Sequence, residues 1–352
     1  KMWRMCTGRY KEGECSRKMK VLLYAKNKDT VLKSGVGRAM AMQEEFLEKR
    51  GVQITDDPKE DYDVVHLNTI FLSDYLMAKK AKHQGKKVIY HAHSTEEDFR
   101  NSFIGSNLIA PFFKMWIKKC YKTGDLILTP TNYSKFLLEK YHIENPVQVI
   151  SNGVDTQEFR RREEEREWFR EKYGYQKSDK IIMSVGLYFE RKGILDFVEL
   201  ARRMPQYQFI WFGHTPSYQI PKKVRDVLRT ELPNLKFPGY LPKEELRLAY
   251  GCCDLFFFPS YEETEGIVVL EALASSIPVL LRDIPVYEDW LVEKQDVYKG
   301  KDNADFAMRI HQIMEGQIPR LTNAGLKKAK ERDVRKQAAL LQKLYQTVYA
   351  GM

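Results

Sequence analysis

The stretch LFFFPSYEETEGIVVLEALA, residues 255–274, contains in order a strand, an acidic loop and the start of a helix. The apolar run 255–258, which ends at Pro259, is typical of a fully buried strand in a parallel sheet. Apolar residues then recur at three- and four-residue spacing, which predicts a helix that begins near Gly266. The sequence therefore places a helix start at the carboxyl edge of a buried strand.

This predicted helix start is suited to bind an anion. A first helical turn, here Gly266, Ile267 and Val268, offers free backbone N–H groups at the positive end of the helix dipole. A glycine also lets a phosphate approach the backbone closely. The flanking carboxylates of Glu263 and Glu271 would accept hydrogen bonds from hydroxyl groups of the same ligand. A nucleotide sugar, with a diphosphate between ribose and sugar hydroxyls, has this layout. The alternative is a solvated acidic loop before an ordinary buried helix.

The two glutamates resemble the Glu-x7-Glu signature of the retaining GT-B nucleotide-sugar glycosyltransferases. Within that family the chain looks most like the bacterial enzymes that glycosylate diacylglycerol lipids, although Glu265 stands where most members have an aromatic residue. The resemblance implies an α/β fold of the GT-B type, in which two Rossmann-like domains with parallel doubly wound sheets face a central cleft. Short strand-like runs that alternate with amphipathic stretches favour the same fold class.

The length of the chain predicts two domains, because 352 residues with 43% hydrophobic content exceed what one core usually supports. The segment SNGVD at 151–155 resembles the hinge between GT-B domains, with Ser151 in place of a proline. The expected units are an N-terminal extension outside the fold (1–19), an acceptor domain (20–152), a donor domain (153–325) and a C-terminal helix that returns to the first domain (326–352).

Two further stretches are predicted to be helical. From Arg160 to Lys172, basic and acidic residues are interleaved, which indicates a solvated linker helix. From Ala324 to Tyr349, apolar residues recur at four- and three-residue spacing, which predicts one long helix. The residues expected on its shared apolar face are Val334, Ala338, Leu341 and Tyr345.

Composition narrows the possible classes of protein. No apolar run approaches the ~18 residues of a membrane-spanning helix. The five cysteines have neither metal nor disulfide spacing, which favours a reducing cytoplasm. The net charge of +10 divides into +4 for residues 1–19, +4 for 20–150 and +2 for 151–352. This bias toward the N-terminal part indicates an anionic surface, either membrane or nucleic acid.

In the predicted acceptor domain, the resemblance implies contacts with the sugar donor. Gly35 and Gly37 lie in a turn between the first strand and a helix, and together with Arg38 they can cradle phosphate. In the family a glycine-rich loop at this place closes over the donor phosphates. His93 follows a strand, and the family has a histidine here beside the transferred sugar. The alternatives are a tight turn without a ligand and a structural histidine.

In the predicted donor domain, Lys192 matches the lysine of a Lys-Gly loop that neutralises the donor diphosphate in the family. The usual arginine position is occupied by Leu187, so Arg191 is the candidate for a second positive charge. Tyr240 and Leu241 lie where relatives read the uracil edge. Surface turns are the alternative for both loops.

The resemblance also assigns roles to the acidic residues of the signature. It implies that Glu263 holds the sugar hydroxyls and that Glu271 holds the ribose. His93, Glu263 and Lys192 are then the expected catalytic set.

Residues 100–122 combine large apolar groups with five basic and no acidic side chains. Pro111 can open a helix here. Its expected apolar face comprises Phe112, Phe113, Trp116, Ile117 and Cys120, and its basic residues are Lys114, Lys118, Lys119 and Lys122. Such a helix can pack into the core, or it can lie in a membrane interface with its lysines on anionic headgroups. The exposed-looking pairs Phe103–Ile104 and Leu108–Ile109 favour the membrane.

Together these features predict a retaining hexosyltransferase. It would move glucose or galactose from UDP-glucose or UDP-galactose to a membrane glycolipid such as monoglucosyl diacylglycerol. No cofactor and no metal is expected, because Lys192 and the helix start can stabilise the leaving diphosphate. The enzyme would be cytoplasmic and attached peripherally to the inner face of the cell membrane.

Two alternative functions would involve a different partner from the membrane glycolipid. A soluble transferase of polysaccharide or glycan synthesis would use the same donor site. A nucleic-acid-binding protein fits less well, because the basic residues cluster with large aliphatic side chains and no nucleic-acid module is evident. A nucleic-acid partner is therefore not expected.

Overall fold

The computed structural model describes residues 19–26, 35–160 and 165–351, and the predicted extension 1–19 lies outside these ranges apart from its last residue. The strands are β1 (Lys20–Tyr24), β2 (Gln53–Thr55), β3 (Val64–Leu67), β4 (Lys87–His91), β5 (Leu126–Thr129), β6 (Val147–Val149), β7 (Ile181–Val185), β8 (Gln208–Phe212), β9 (Leu235–Gly239), β10 (Leu255–Phe258), β11 (Val279–Arg282) and β12 (Tyr298–Gly300).

The helices alternate with these strands. They are α1 (Gly35–Glu48), α2 (Leu72–His83), α3 (Glu96–Phe99), α4 (Ser106–Tyr121), α5 (Asn132–Lys140), α6 (Glu165–Tyr173), α7 (Ile194–Arg203), α8 (Lys222–Leu228), α9 (Lys243–Cys252), α10 (Ile267–Ala274), α11 (Asn303–Met314), α12 (Thr322–Glu331) and α13 (Val334–Ala350). Short 3₁₀ turns cover Glu190–Lys192 and Pro285–Tyr287.

Two six-stranded parallel sheets organise the described part of the chain. The first has the order β2-β1-β3-β4-β5-β6 and the second the order β12-β11-β10-β7-β8-β9. The strands β3, β5, β7, β10 and β11 are buried along their whole length, as expected for parallel strands covered by helices on both faces. The predicted fold class, two Rossmann-like domains of the GT-B type, is confirmed.

Three predicted helices differ from the observed ones. Helix α4 begins at Ser106, so Pro111 lies inside the helix and does not open it. Of the charged stretch before Lys172, residues 161–164 lie outside the described residues, and the rest from Glu165 forms α6. Phe169 of this helix is fully buried against the core, so the helix is not a solvated linker. The C-terminal stretch is two helices, because the backbone turns at Asp333, which caps α13 by accepting a hydrogen bond from the N–H of Arg335.

The chain crosses between the domains twice, and the two crossings lie side by side. The N–H of Val154, just after the first crossing, donates to the carbonyl of Arg332 at 3.2 Å, and the N–H of Val334 donates to the carbonyl of Val154 at 3.0 Å. Arg335 also binds the Asp155 carboxylate. Helix α13 then packs on α1 and on the first sheet through its buried face, Val334, Ala338, Leu341 and Tyr345.

Gly193 allows the loop after β7 to lie against the end of β10. Its φ is +76°, and a Cβ at this position would lie 2.4 Å from the carbonyl oxygen of Pro259. Only glycine avoids both the left-handed strain and this contact. The close approach places the neighbouring Lys192 beside the loop that follows β10.

We expect Gly193→Ala to destabilise the fold by more than the ~1–2 kcal/mol typical of the left-handed conformation alone. Gly51→Ala is the matched control, because Gly51 has the same φ of +76° and no atom within 4 Å of its Cβ position. Urea unfolding of both variants measures the difference. Equal losses would show that the contact with Pro259 carries no cost.

Candidate active site

A cavity of about 440 Å³ lies in the cleft between the two domains. The N-terminal domain contributes Gly35, Arg38, His93 and Asp98, and the C-terminal domain contributes Arg191, Lys192, Tyr240, Leu241, Glu263, Gly266, Ile267 and Val268. Most of the residues predicted from the sequence to bind the sugar donor therefore line one cavity. Their roles there remain predictions.

Lys192 and Glu263 meet in this cavity. The Lys192 ammonium lies 2.5 Å from Oε1 of Glu263, which also accepts a hydrogen bond from the hydroxyl of Ser260 at 2.7 Å. Burial and the neighbouring Arg191 lower the pKa of Lys192, while Glu263 opposes that shift. Glu263 thus holds the Lys192 ammonium in a desolvated place within the cavity.

Helix α10 begins as predicted, directly after Gly266. Gly266 has a φ of +85° and stands at the N-cap position, a conformation that suits glycine. The first turn of α10, whose N–H groups have no partner within the helix, lines the cavity together with Lys192. An ammonium and a helix start in one cavity form a combination suited to a diphosphate.

Arg191 lines the cavity, but its guanidinium is bound to the N-terminal domain. It lies 2.9 Å from Oδ1 of Asp98, and its Nε donates to the hydroxyl of Ser102 at 2.8 Å. Nη1 also donates to the carbonyl of Glu262 at 3.1 Å. Arg191 thus joins the two domains beside the cavity.

Two of the predicted donor-binding residues do not line the main cavity. Gly37 is buried in α1, and Glu271 faces an adjoining pocket of about 70 Å³. Oε1 of Glu271 accepts a hydrogen bond from Arg38 at 3.0 Å, and Oε2 accepts one from the hydroxyl of Tyr250 at 2.9 Å. Burial raises the pKa of Glu271, and Arg38 and Tyr250 oppose that shift.

His93 is the end of a stack of three buried imidazoles. Its ring lies 4.1 Å from that of His91, which lies 5.6 Å from that of His66. Nε2 of His93 is 3.0 Å from Oδ1 of Asn68, and Nδ1 of His66 is 2.6 Å from the Tyr345 hydroxyl on α13. Burial lowers the pKa of His93 to about 3. His93 is therefore uncharged near neutral pH, and it lines the cavity as a neutral imidazole.

Glu265 is buried at the hinge. Its carboxylate accepts hydrogen bonds from the Ser151 hydroxyl, from the backbone N–H of Asn152 at 2.9 Å and from the Asn152 side chain at 2.8 Å. Two of the departures from the family pattern noted in the sequence, Glu265 and Ser151, are thus partners in one contact. They join the hinge to the residue before Gly266.

Helix α4 presents two apolar faces. Ala110, Phe113, Ile117 and Cys120 face the core, while Trp116 donates from Nε1 to the Ile70 carbonyl at 2.7 Å. The predicted face is therefore wrong for Phe112, which lies on the opposite side. An exposed row, spaced at four and three residues, consists of Leu108, Phe112 and Met115, with exposed fractions of 81%, 71% and 68%.

The start of α2 extends this exposed row. The Tyr75 ring lies 5.6 Å from that of Trp116, and Lys119 lies over the same Tyr75 ring. The exposed side chains at this helix start are Phe71, Leu72 and Leu76, which were not predicted from the sequence. We call Leu108, Phe112, Met115, Phe71, Leu72 and Leu76 the apolar patch.

The predicted membrane lysines differ in their surroundings. Lys114 forms an ion pair with Glu96 at 3.0 Å and lies over the Tyr141 ring, so its charge is used inside the protein. Lys119 and Lys122 are exposed, and Lys118 is partly exposed. Of the four predicted exposed apolar residues, Phe103 instead packs against Phe99.

Sequence reasoning missed Asp98, and for Arg38 it proposed a contact with phosphate but not the ion pair with Glu271. Asp98 is the last of three consecutive acidic residues, and nothing in that run distinguishes it from its neighbours. Arg38 was noted in the glycine-rich turn, but its partner Glu271 is 233 positions away.

Comparison with known proteins shows to which family this chain belongs. A family model described as "Glycosyl transferases group 1" matches residues 165–332, and one described as "Glycosyltransferase Family 4" matches residues 57–158. A protein of Acholeplasma laidlawii named processive diacylglycerol alpha-glucosyltransferase is 43% identical over 94% of this chain and 98% of its own. The chain belongs to the group 1 glycosyltransferases. This glycosyltransferase is also 29% identical, over 67% of its length and 64% of the relative, to the alpha-galactosylglucosyldiacylglycerol synthase of Streptococcus pneumoniae.

Solved structures share the fold of this glycosyltransferase. Sucrose-phosphate synthase from Thermosynechococcus elongatus superposes with a TM-score of 0.80 at 16% identity, covering 95% of this chain and all of the other. Anabaena HepE, solved in complex with UDP-glucose, superposes with a TM-score of 0.72 at 15% identity, covering 94% of this chain and all of the other. In the described ranges, no helix has both the length and the apolar character needed to cross a bilayer.

The cleft contains a carboxyl group whose ionisation opposes folding. Burial raises the pKa of Glu262 to about 7, and Asp98, Glu97 and Glu263 add to this shift while Tyr133 opposes it. Because the folded pKa lies above the unfolded one, protonation of Glu262 favours the folded state below the unfolded pKa of about 4.5. This stabilisation is lost as the pH rises through about 7.

We therefore expect Glu262→Gln to raise the melting temperature relative to the wild type more at about pH 8 than at about pH 5. Differential scanning calorimetry at both pH values measures this change. Glu144→Gln, at an exposed position, is the control and should show a constant difference. A constant difference for Glu262→Gln as well would contradict the raised pKa.

Proposed function

We propose that this glycosyltransferase transfers glucose or galactose from a UDP-sugar to a glucosylated diacylglycerol at a membrane surface, with retention of the anomeric configuration. The names of the relatives from A. laidlawii and S. pneumoniae support a diacylglycerol-linked acceptor. The complex of HepE with UDP-glucose supports a UDP-sugar as the donor. The observation that carries the proposal is that Lys192, the first turn of α10 and His93 all line one cavity.

The proposed chemistry uses the chain's own groups. Departure of the sugar leaves negative charge on the diphosphate, and the Lys192 ammonium and the N–H groups after Gly266 stabilise that charge as it develops. No metal ion is required for this step. Glu263 binds sugar hydroxyls and Glu271 the ribose, while the neutral His93 contacts the sugar from the acceptor domain.

The acceptor lipid would enter from a membrane in contact with the apolar patch. The patch presents six large exposed apolar side chains, on α4 and at the start of α2, and the contact between Trp116 and Tyr75 joins the two helices. Exposed apolar patches of this kind mark interaction sites. Lys118, Lys119 and Lys122 lie near it on α4 or directly after it and can contact anionic headgroups. We therefore propose peripheral attachment to the inner face of the cell membrane, in the cytoplasm.

The donor half of the proposal is tested with Lys192→Ala. Its loss should cost roughly 2 to 4 kcal/mol of transition-state stabilisation, comparable to losing a preorganised oxyanion donor. The assay measures UDP release and glycolipid product from UDP-glucose and UDP-galactose with monoglucosyl diacylglycerol. Lys177→Ala, at an exposed lysine, should retain wild-type turnover. Wild-type turnover of a folded Lys192→Ala protein would exclude Lys192 from the mechanism.

The membrane half is tested with Leu108→Ser combined with Phe112→Ser. Each side chain contributes about 1.5 to 3 kcal/mol when fully transferred from water, so binding to phosphatidylglycerol vesicles should fall at least tenfold in sedimentation. Val292→Ser with Met308→Ser is the matched control, because it removes two exposed apolar side chains from the donor domain. Hydrolysis of the sugar nucleotide should persist in both.

Charge reversal separates the lysines from the apolar patch. Lys118, Lys119 and Lys122 are changed to Glu, and Lys114 is left intact because of its ion pair with Glu96. Binding to anionic vesicles should weaken and lose its salt dependence, whereas binding to phosphatidylcholine vesicles should change little. If the serine and glutamate variants both sediment like the wild type, the soluble-acceptor alternative is favoured.

A further inference from the structure

The cavity needs more positive charge than Lys192 provides. Lys192 is paired with Glu263, so much of its charge is balanced before a ligand binds. Arg191, the candidate for the second cation, is bound to Asp98 and Ser102 of the acceptor domain. A diphosphate with a departing sugar therefore requires a further cation from elsewhere in the cavity wall.

Arg38 stands in the right place for that role. It lines both the main cavity and the smaller pocket that contains Glu271. Its side chain is 25% exposed, whereas that of Glu271, its partner at 3.0 Å, is 5% exposed. The guanidinium thus lies between the buried carboxylate and the open cavity, and this ion pair connects the two domains.

The backbone places Arg38 close to the anion site. A Cβ on Gly35, the first residue of α1, would lie 3.9 Å from Cδ1 of Ile267, the first residue of α10. The first turns of α1 and α10 therefore face one another across the cleft. Arg38 belongs to the first turn of α1, so its long side chain can reach the region in front of Gly266.

We propose that Arg38 is the second cation of the donor site and that the donor itself releases it from Glu271. The ribose hydroxyls donate hydrogen bonds to the Glu271 carboxylate in place of Arg38. The freed guanidinium then binds the diphosphate, for which its planar fork is well suited. This inference rests on the proposed function, and it makes an acceptor-domain residue part of the response to the donor.

The test compares the affinities of uridine and UDP, because uridine has the ribose but no phosphate. Isothermal titration calorimetry is performed on the wild type, Arg38→Gln and Arg38→Lys. For Arg38→Gln, UDP affinity should fall about tenfold or more, as expected for a lost charged hydrogen bond, while uridine affinity stays equal or rises. Arg38→Lys should retain most of the UDP affinity. Arg50→Gln, an exposed arginine just beyond α1, should bind both ligands like the wild type.

A second pair of variants avoids an unpaired buried carboxylate. The single variant Glu271→Gln is compared with the double variant Glu271→Gln and Arg38→Gln. Both proteins lack the Glu271 charge, so removing Arg38 does not leave a buried carboxylate without its cation. Removing Arg38 in this background should again lower UDP affinity and leave uridine affinity unchanged.

The outcomes are distinct. Equal losses for uridine and UDP in Arg38→Gln would overturn the proposal, since Arg38 would then act only through Glu271 or through packing. Unchanged affinities for both ligands would overturn it as well. A wild type that binds neither UDP nor a UDP-sugar would instead overturn the proposed function.

Discussion

Burial of the Glu265 carboxylate determines how the hinge at 151–155 meets the loop that precedes α10. A charged group removed from water requires hydrogen-bond donors around it, and here Ser151 and Asn152 provide them. The serine at the hinge and the glutamate before Gly266 thus depend on each other. Their contact sets the start of α10 relative to the hinge, and through it the position of the anion site in the cleft.

Three cations of the cavity wall follow the same rule, because each has a carboxylate partner within the protein. Lys192, Arg191 and Arg38 are each paired with a carboxylate, and two of these three pairs connect the domains. The free-energy cost of desolvating these groups is therefore included in folding and does not arise again when a ligand binds. A ligand that carries phosphate beside hydroxyl groups can replace both kinds of partner, which is the basis of preorganised binding.

The fold and most of the cavity wall could be predicted from the sequence, because buried parallel strands are continuous apolar runs and their carboxyl ends share one edge. Pairs between distant residues could not. Neither the contact of Arg38 with Glu271 nor that of Ser151 with Glu265 has a periodic signal. The sequence predicts the wrong start for α4, because a proline favours the first turn of a helix. In the structure the helix begins at Ser106 and continues through Pro111. Phe112 was then assigned to the wrong face.

The paired crossings at Val154 and Val334 have a mechanical consequence. A single connecting strand would let one domain turn about the strand as well as bend over it. Two segments hydrogen-bonded side by side resist torsion, so the easiest relative movement is rotation about one axis perpendicular to them. Opening of the cleft would then separate its walls without sliding them past each other. His93 and Lys192 would then return to the same relative position each time the cleft closes.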